Sequence, residues 1–482
     1  MRCAMNRTSL AALLAVLLAG CTTQVPQALS PSLVPNGFTA PVPASAPVWP
    51  ETSWWAGFGD PAMTQLVTEA QANNRDIAAA AARVMQAEAQ ATVQRSALFP
   101  TIDAQAQHSG NQCSGQACRQ YLSGQTFGLG FNATYELDIW GLARNNLRAA
   151  QEQLKSARFA QQAVAMTVTA NVASRYLEVL ALRSRIAIQH QQIDAINDIL
   201  QVIKLKVKAG AISRLDLVRE NTQLESVQAQ LPNLETQEKQ ALFALAVLLG
   251  RAPEDFDITG KTLDGITAPD VGPGLPSDLL LRRPDVAGGE ADLAAAHANL
   301  DAARAAFLPQ ISLSSAGGFA STAVGALLNG SNTGLSYGAD LLQTIFDGGR
   351  LAGQRDLAEG LQREALANYQ SKVLNAYADV EYALTQYANT RRSEGHLHNV
   401  IAAAQEAFQI SQLQYRQGAA DLLNVLFAQQ ALFLAQDQLV QVALANREAA
   451  VHLFEALGGG WQEAPEDRTQ VLVSEDHRGK KN

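Results

Sequence analysis

Thr126-Phe127-Gly128-Leu129-Gly130-Phe131-Asn132-Ala133-Thr134-Tyr135-Glu136-Leu137-Asp138-Ile139 alternates without a slip. Every odd position is apolar and every even one is polar or glycine, which is the period of a strand with one face out of water. Residues 101–108 alternate as well, with Ile102, Ala104 and Ala106 on one face. A soluble two-faced sheet has the same signature. The connection between the two runs, residues 111–124, is long, glycine-rich and nearly uncharged, as are the outer loops of membrane barrels.

A weaker second pair follows, with Ile311, Leu313 and Phe319 on one strand and Leu335, Tyr337, Ala339 and Leu341 on the next, joined by the similar loop 322–333. Four strands cannot close a barrel, since the smallest membrane barrels have about eight. Several chains must share one: a dimer gives eight strands and a filled interior, a trimer twelve and room for an aqueous lumen.

The second pair belongs to a duplication. Gly210-Ala211 aligns with Gly418-Ala419, Leu215 with Leu423, Asp216 with Asn424, and Leu249-Gly250 with Leu457-Gly458, all at an offset of 208. Phe99-Pro100 meets Leu308-Pro309 at 209, and Arg144 meets Arg350 at 206. A unit of about 200 residues is far longer than a solenoid repeat and implies pseudo-symmetry inside each subunit.

Between the strands the pattern is helical. Leu142–Lys208 and residues 351–417 each run 67 residues without a proline, about 100 Å at 1.5 Å per residue. Val172, Val179, Ile186, Ile193, Leu200 and Val207 recur every seven residues, joined by Leu182, Ile196 and Ile203, a coiled-coil seam. Each long helix ends at a glycine turn, and a segment of about 37 residues returns to Gly250 or Gly458. The chain thus divides into a signal peptide (1–20), a lipidated tether and mid-height segment (21–61), a helix (62–98), a β-hairpin (99–140), a helical hairpin (141–249), an equatorial segment (250–285), a helix (286–307), a second β-hairpin (308–346), a second helical hairpin (347–457) and a tail (458–482).

The N-terminus places this architecture in an envelope. Arg2 and Arg7 precede an apolar run over 10–18 and then Leu18-Ala19-Gly20-Cys21, a signal peptide with a lipobox, so Cys21 is expected to carry lipid. Thr22 stands where an inner-membrane retention aspartate would be, which resembles the outer-membrane sorting class. Beyond the signal peptide no run reaches the eighteen or so apolar residues of a membrane helix, leaving a closed barrel as the way to span. Residues 26–50, rich in Pro, Ala, Ser and Val, read as an extended tether. Cys113 and Cys118 have only His108 nearby, too few ligands for zinc, and are expected to form a small disulfide outside the reducing cytoplasm.

Composition excludes other classes. A net charge of -9 argues against nucleic acid. The seven histidines are scattered, and His396 and His398 point to different helical faces. No phosphate loop or nucleophile elbow is present, so neither catalytic residues, nor a metal, nor any cofactor besides the lipid on Cys21 is expected. A pore-free coiled-coil lipoprotein is the competing reading, which conductance measurements separate.

Trp54-Trp55, Phe58-Gly59-Asp60-Pro61, Pro276-Ser277-Asp278-Leu279-Leu280-Leu281-Arg282-Arg283-Pro284-Asp285 with Glu290, and Phe346-Asp347-Gly348-Gly349-Arg350 carry a resemblance. The chain from Cys21 to about residue 460 resembles the TolC-like outer-membrane factors, most of all their lipid-anchored, OprM-like (NodT-type) branch. The resemblance implies an α+β membrane protein, a homotrimer with a 12-stranded outer-membrane β-barrel continuing into a 12-helix periplasmic α-barrel. It implies a periplasmic adaptor (membrane fusion) protein and an inner-membrane transporter of the RND type as partners. Gly210 and Gly418 would mark the adaptor-docking tips. The matching gate positions are Asp421, Leu423, Asn424 and Phe427, with Asp216 in the first copy. Many relatives place aspartates where Asn424 or Phe427 stand, so an apolar plug of Leu423 and Phe427 replaces a carboxylate ring in this reading; Phe427 packed between helices is the alternative. Arg282 and Arg283 are expected to tie down the mid-height belt.

Overall fold

The computed structural model describes residues 37–39, 51–111, 124–269 and 282–461. Cys21, Cys113 and Cys118 lie outside the described residues, as do 270–281 and the tail after 461. Helices α1 (Pro61–Asn73) and α2 (Arg75–Ser96) lead to strands β1 (Thr101–Asn111) and β2 (Gly124–Glu136), then to a helical hairpin of α3 (Leu142–Lys208) and α4 (Arg214–Leu248). The second copy is α5 (Pro284–Ala305), β3 (Gln310–Ser321), β4 (Thr333–Leu342), α6 (Arg350–Gln417) and α7 (Leu422–Ala456). No described helix is long and apolar enough to cross a membrane.

The four strands form one antiparallel sheet in the order β1-β2-β3-β4, so the β2–β3 ladder joins the two copies. Register places Ala104, Phe131 and Gly317 side by side, and likewise Ala106, Leu129 and Phe319. Gly317 in turn meets Leu335, and Ser315 meets Tyr337. All large apolar side chains of the alternating runs therefore share one face, and Phe131 (64%), Leu335 (76%) and Tyr337 (87%) are exposed in the protomer. The opposite face carries Asp103, Gln105, Asn132, Glu136, Ser312 and Asp340. An apolar outside and a polar inside is the inverse of a soluble core and the pattern of a membrane barrel.

The expected strand to Ile139 stops three residues early. Leu137 still donates its N–H to the Ile311 carbonyl at 2.8 Å, but Asp138 turns away to serve α3. Its carboxylate accepts the Ala143 and Arg144 backbone N–H groups at 3.0 and 2.9 Å and the Arg144 guanidinium at 3.0 Å. A carboxylate at an open helix N-terminus outweighs one more rung of sheet. Asp347 repeats the device, accepting the N–H groups of Gly349 and Leu351, each at 3.0 Å.

The helix expected over 62–98 is broken at Asn74. That residue is extended (φ -62°, ψ 134°), its side chain accepts from the N–H groups of Asp76 and Ile77 to cap α2, and its amide donates to the Leu248 carbonyl at 2.8 Å. The break thus fastens the upstream helix to the end of the first helical hairpin. In the second copy Arg283 stands at the same place. It precedes α5, and its guanidinium reaches Asp285 at 2.7 and 3.0 Å, Asp379 at 2.9 Å and the Ala456 carbonyl at 3.4 Å. Gly250 (φ 71°) and Gly458 (φ 93°) complete the two junctions: a Cβ on Gly250 would lie 2.5 Å from the Asn73 carbonyl oxygen, and one on Gly458 would overlap the Arg282 carbonyl. Arg283 therefore ties down the mid-height belt.

Both return helices have 35 residues, slightly fewer than expected. Pro232 lies inside α4 without ending it. It and Gln228, whose carbonyl loses a donor, are both exposed, so water takes the free acceptor. The heptad seam is the helical core: Val179 and Leu182 pack on Leu234 and Leu242, and Ile196 and Leu200 on Val227. Nearest the hairpin ends Ile199 and Ile203 of α3 meet Phe408, Tyr415, Leu422, Val425 and Leu432 of the second hairpin. Each such side chain contributes roughly 1.5–3 kcal/mol on leaving water.

Candidate functional site

The two helical-hairpin turns lie beside each other. At the first, Gly210 has φ 69° and its N–H donates to the Val207 carbonyl at 2.9 Å, while Ala211 reaches back to Lys206 at 2.9 Å. At the second, Gly418 (φ 75°) donates to Tyr415 at 3.1 Å, and Ala419 to Gln414 at 2.8 Å. Nothing lies within 4 Å of a Cβ built on either glycine. Glycine is there for the left-handed backbone of a Schellman stop, not for space. Ser213 then caps α4, its hydroxyl accepting from the Leu215 N–H at 3.1 Å, whereas Asp421 precedes α7 with no side-chain cap bond.

The apolar residues of α7 divide into two faces. Leu422 (4%) and Val425 (0%) are buried against α3 and α6, while Leu423 (43%), Phe427 (67%) and Leu434 (57%) face away from the protomer. Asn424 and Asp421 are exposed as well. Phe427 therefore does not pack in the core of its own subunit. Asp216 is half-buried on the other hairpin and is not brought to Asp421 by any described contact.

The residues that join the hairpins were not among those singled out from sequence. Lys206 donates to the Tyr415 carbonyl at 2.6 Å and holds its ammonium 4.0 Å from the centre of the Tyr415 ring. Burial, then the charges of Asp216 and Glu220, push the Tyr415 phenol above its usual range. Only Glu220 had a signal in the sequence, because Glu220, Val227, Leu234 and Ala241 are spaced by seven and extend the seam.

Long paired helices below a four-stranded sheet, built twice, match a known pattern. The sequence pattern of the outer membrane efflux proteins fits two stretches, residues 66–251 and 275–459. The chain belongs to that family. It is 37% identical over 416 residues to the pyoverdine export outer membrane protein OpmQ of Pseudomonas aeruginosa, covering 85% of this chain and 87% of that protein. Identity to the cation efflux system protein CusC of Escherichia coli is 29% over 456 residues, 93% of this chain and 98% of that one. The solved outer-membrane channel OprN superposes with a TM-score of 0.85 at 26% identity, over 92% of this chain and all of that structure (100%).

This outer membrane efflux protein is accordingly a channel and not an enzyme. Three copies complete the barrel that one sheet of four strands leaves open. Its strands span the outer membrane, its helices extend into the periplasm, and it works with a periplasmic adaptor and an inner-membrane pump to carry substrates to the exterior.

Proposed function

We propose that the channel is gated at its helical-hairpin turns, where three copies of Leu423 and Phe427 form an apolar constriction that dewets and so blocks ions without charge. The outward face of α7 supports this reading: Phe427 is 67% exposed although it neighbours fully buried Val425. Asp421 and Asn424 flank the constriction, and Asp216 sits behind it. The adaptor docks around Gly210 and Gly418, and its preference for the dilated state shifts the equilibrium towards opening. Leu423→Ala with Phe427→Ala is expected to raise single-channel conductance in planar bilayers and to let large antibiotics enter cells. Unchanged conductance from normally assembled trimers would sink the assignment.

The remaining parts of the proposal follow from the sequence. Cys21 carries the lipid anchor and the channel needs no other cofactor, Cys113 and Cys118 form a small extracellular disulfide, and the inner-membrane partner is of the RND type. The chain matches relatives named for pyoverdine export and for cation efflux alike, which supports a cargo chosen by the pump.

A further inference from the structure

One carboxyl near the turns stands where the seam calls for an apolar side chain. Glu220 begins the seven-residue series that Val227, Leu234 and Ala241 continue. It is 0% exposed, and neither carboxylate oxygen has a hydrogen-bond partner. This burial arises inside one protomer, so assembly of the trimer does not relieve it. Leu217 and Leu224, flanking it on α4, pack on the α3 residues Ile196 and Leu200, and Leu217 also packs on the cluster shared with the second hairpin.

The groups that bear on it are few. From α6 comes Tyr415, whose phenol senses the charge of Glu220 and whose hydroxyl is itself buried without a partner. Tyr415 in turn holds Lys206 of α3, whose ammonium is committed to the Tyr415 carbonyl and ring. On α4 itself Asp216 lies one turn earlier. Burial alone pushes the Glu220 carboxyl up to about 7, with no cation offsetting it. A buried, unpaired carboxylate is strongly disfavoured, so the closed seam holds the neutral acid.

We propose that Glu220 is a proton-dependent latch of the channel: as the neutral acid it lets α4 close on α3 and, at Leu217 and Tyr415, on the second hairpin, and its ionisation, releasing the proton to water, favours their separation. The latch rests on the reading that the hairpin turns are the gate. In an opened seam the carboxyl is hydrated and returns to its ordinary range near 4.5. The closed state binds the proton more tightly, so it is fully favoured below that range and loses its advantage as pH rises through about 7. Across that window the open-to-closed ratio rises by up to about tenfold per pH unit.

The test compares wild type, Glu220→Gln and the Leu423→Ala/Phe427→Ala pair as purified trimers in planar bilayers between pH 5 and 8. Wild type is expected to gain open-state occupancy by at least severalfold over this range, and Glu220→Gln, which keeps the shape but cannot ionise, to stay closed and flat. A wild-type profile that is flat, or one that Glu220→Gln reproduces, overturns the latch. If the paired variant opens while Glu220→Gln follows wild type, the latch alone fails; if the paired variant leaves conductance unchanged, the gate assignment fails. Should Glu220→Gln not assemble, hydrogen exchange of wild-type amides over residues 196–227 decides: protection corrected for intrinsic rates must fall from pH 5.5 to 7.5, and constant protection rejects the proposal.

Discussion

The two helical hairpins are copies in architecture and opposites in surface. At the positions of Leu423, Phe427 and Leu434 in α7, the first copy has Leu215, Arg219 and Ser226 in α4. Around the first turn Lys204, Lys208, Arg214 and Arg219 are all exposed, whereas the second turn has Arg416 and Asp421. Ion pairs at different levels also differ in polarity: Arg183 of α3 bonds Glu238 of α4 at 2.7 Å in the first hairpin, and Glu394 of α6 bonds Arg447 of α7 at 2.8 Å in the second. Duplication conserved what folding needs, the glycine stops and the seam, and left the outward faces free to specialise. An apolar outer face suits a surface turned against its own symmetry mates; a basic one suits a separate partner.

The sharpest way to break this comparison is to swap the mutations. Leu423→Ala with Phe427→Ala should raise conductance by an order of magnitude or more, while Leu215→Ala with Arg219→Ala should leave the closed channel nearly silent. Equal leak from both pairs would erase the functional difference between the copies. The mid-height junctions give the next largest effect. Arg283→Met leaves Asp285 and Asp379 without their cation, costing about 3 kcal/mol or more, whereas Asn74→Ala loses a cap worth about 1 kcal/mol. Unfolding rates of the trimer in denaturant should rank them in that order.

Acid treatment sharpens the same contrast. Burial raises Asp285, but hydrogen bonds and charge from Arg283 outweigh it and hold the carboxyl below its usual range. Stability from this pair is therefore present above about pH 4 and lost as pH falls below that. Thermal scans below pH 4 should destabilise wild type more than Arg283→Met, and no such gap should separate wild type from Asn74→Ala. A smaller effect concerns the basic turn: Lys204→Gln with Lys208→Gln should slow adaptor association severalfold at low salt, and Arg416→Gln much less, as surface charges steer encounter. The smallest is in the strands' loops, where only the first copy carries cysteines. Cys113→Ser with Cys118→Ser should leave transport and trimer yield unchanged.

Much of this was legible in the linear pattern. Alternation over Phe127 to Tyr135 set the membrane face, the offset of 208 set the duplication, and the seam from Val172 to Val207 set the hairpin packing. Each is a periodic signal repeated many times. What the sequence hid were single residues with two roles. Asp138 continues an alternating run yet leaves the strand to cap α3, and Asn74 looks like a tolerable helix residue until the Leu248 carbonyl gives its amide a partner. Lys206 and Tyr415 meet across 209 positions of chain, a contact that periodicity cannot show. The proposed gate positions came from the family resemblance; the structure adds that Leu423 and Phe427 face out of the protomer.

The order β1-β2-β3-β4 leaves β1, of 11 residues, and β4, of 10, each paired on one side only within a protomer. In hydrocarbon every unmatched backbone group costs roughly several kcal/mol, so neither one subunit nor two can settle in the bilayer. Biogenesis must join the chains before or during insertion, with no lipid-embedded monomer along the way. The membrane thereby proofreads subunit number: an incomplete ring is rejected by the solvent it was made for, and a defective chain is discarded before it becomes a hole in the cell's outer barrier.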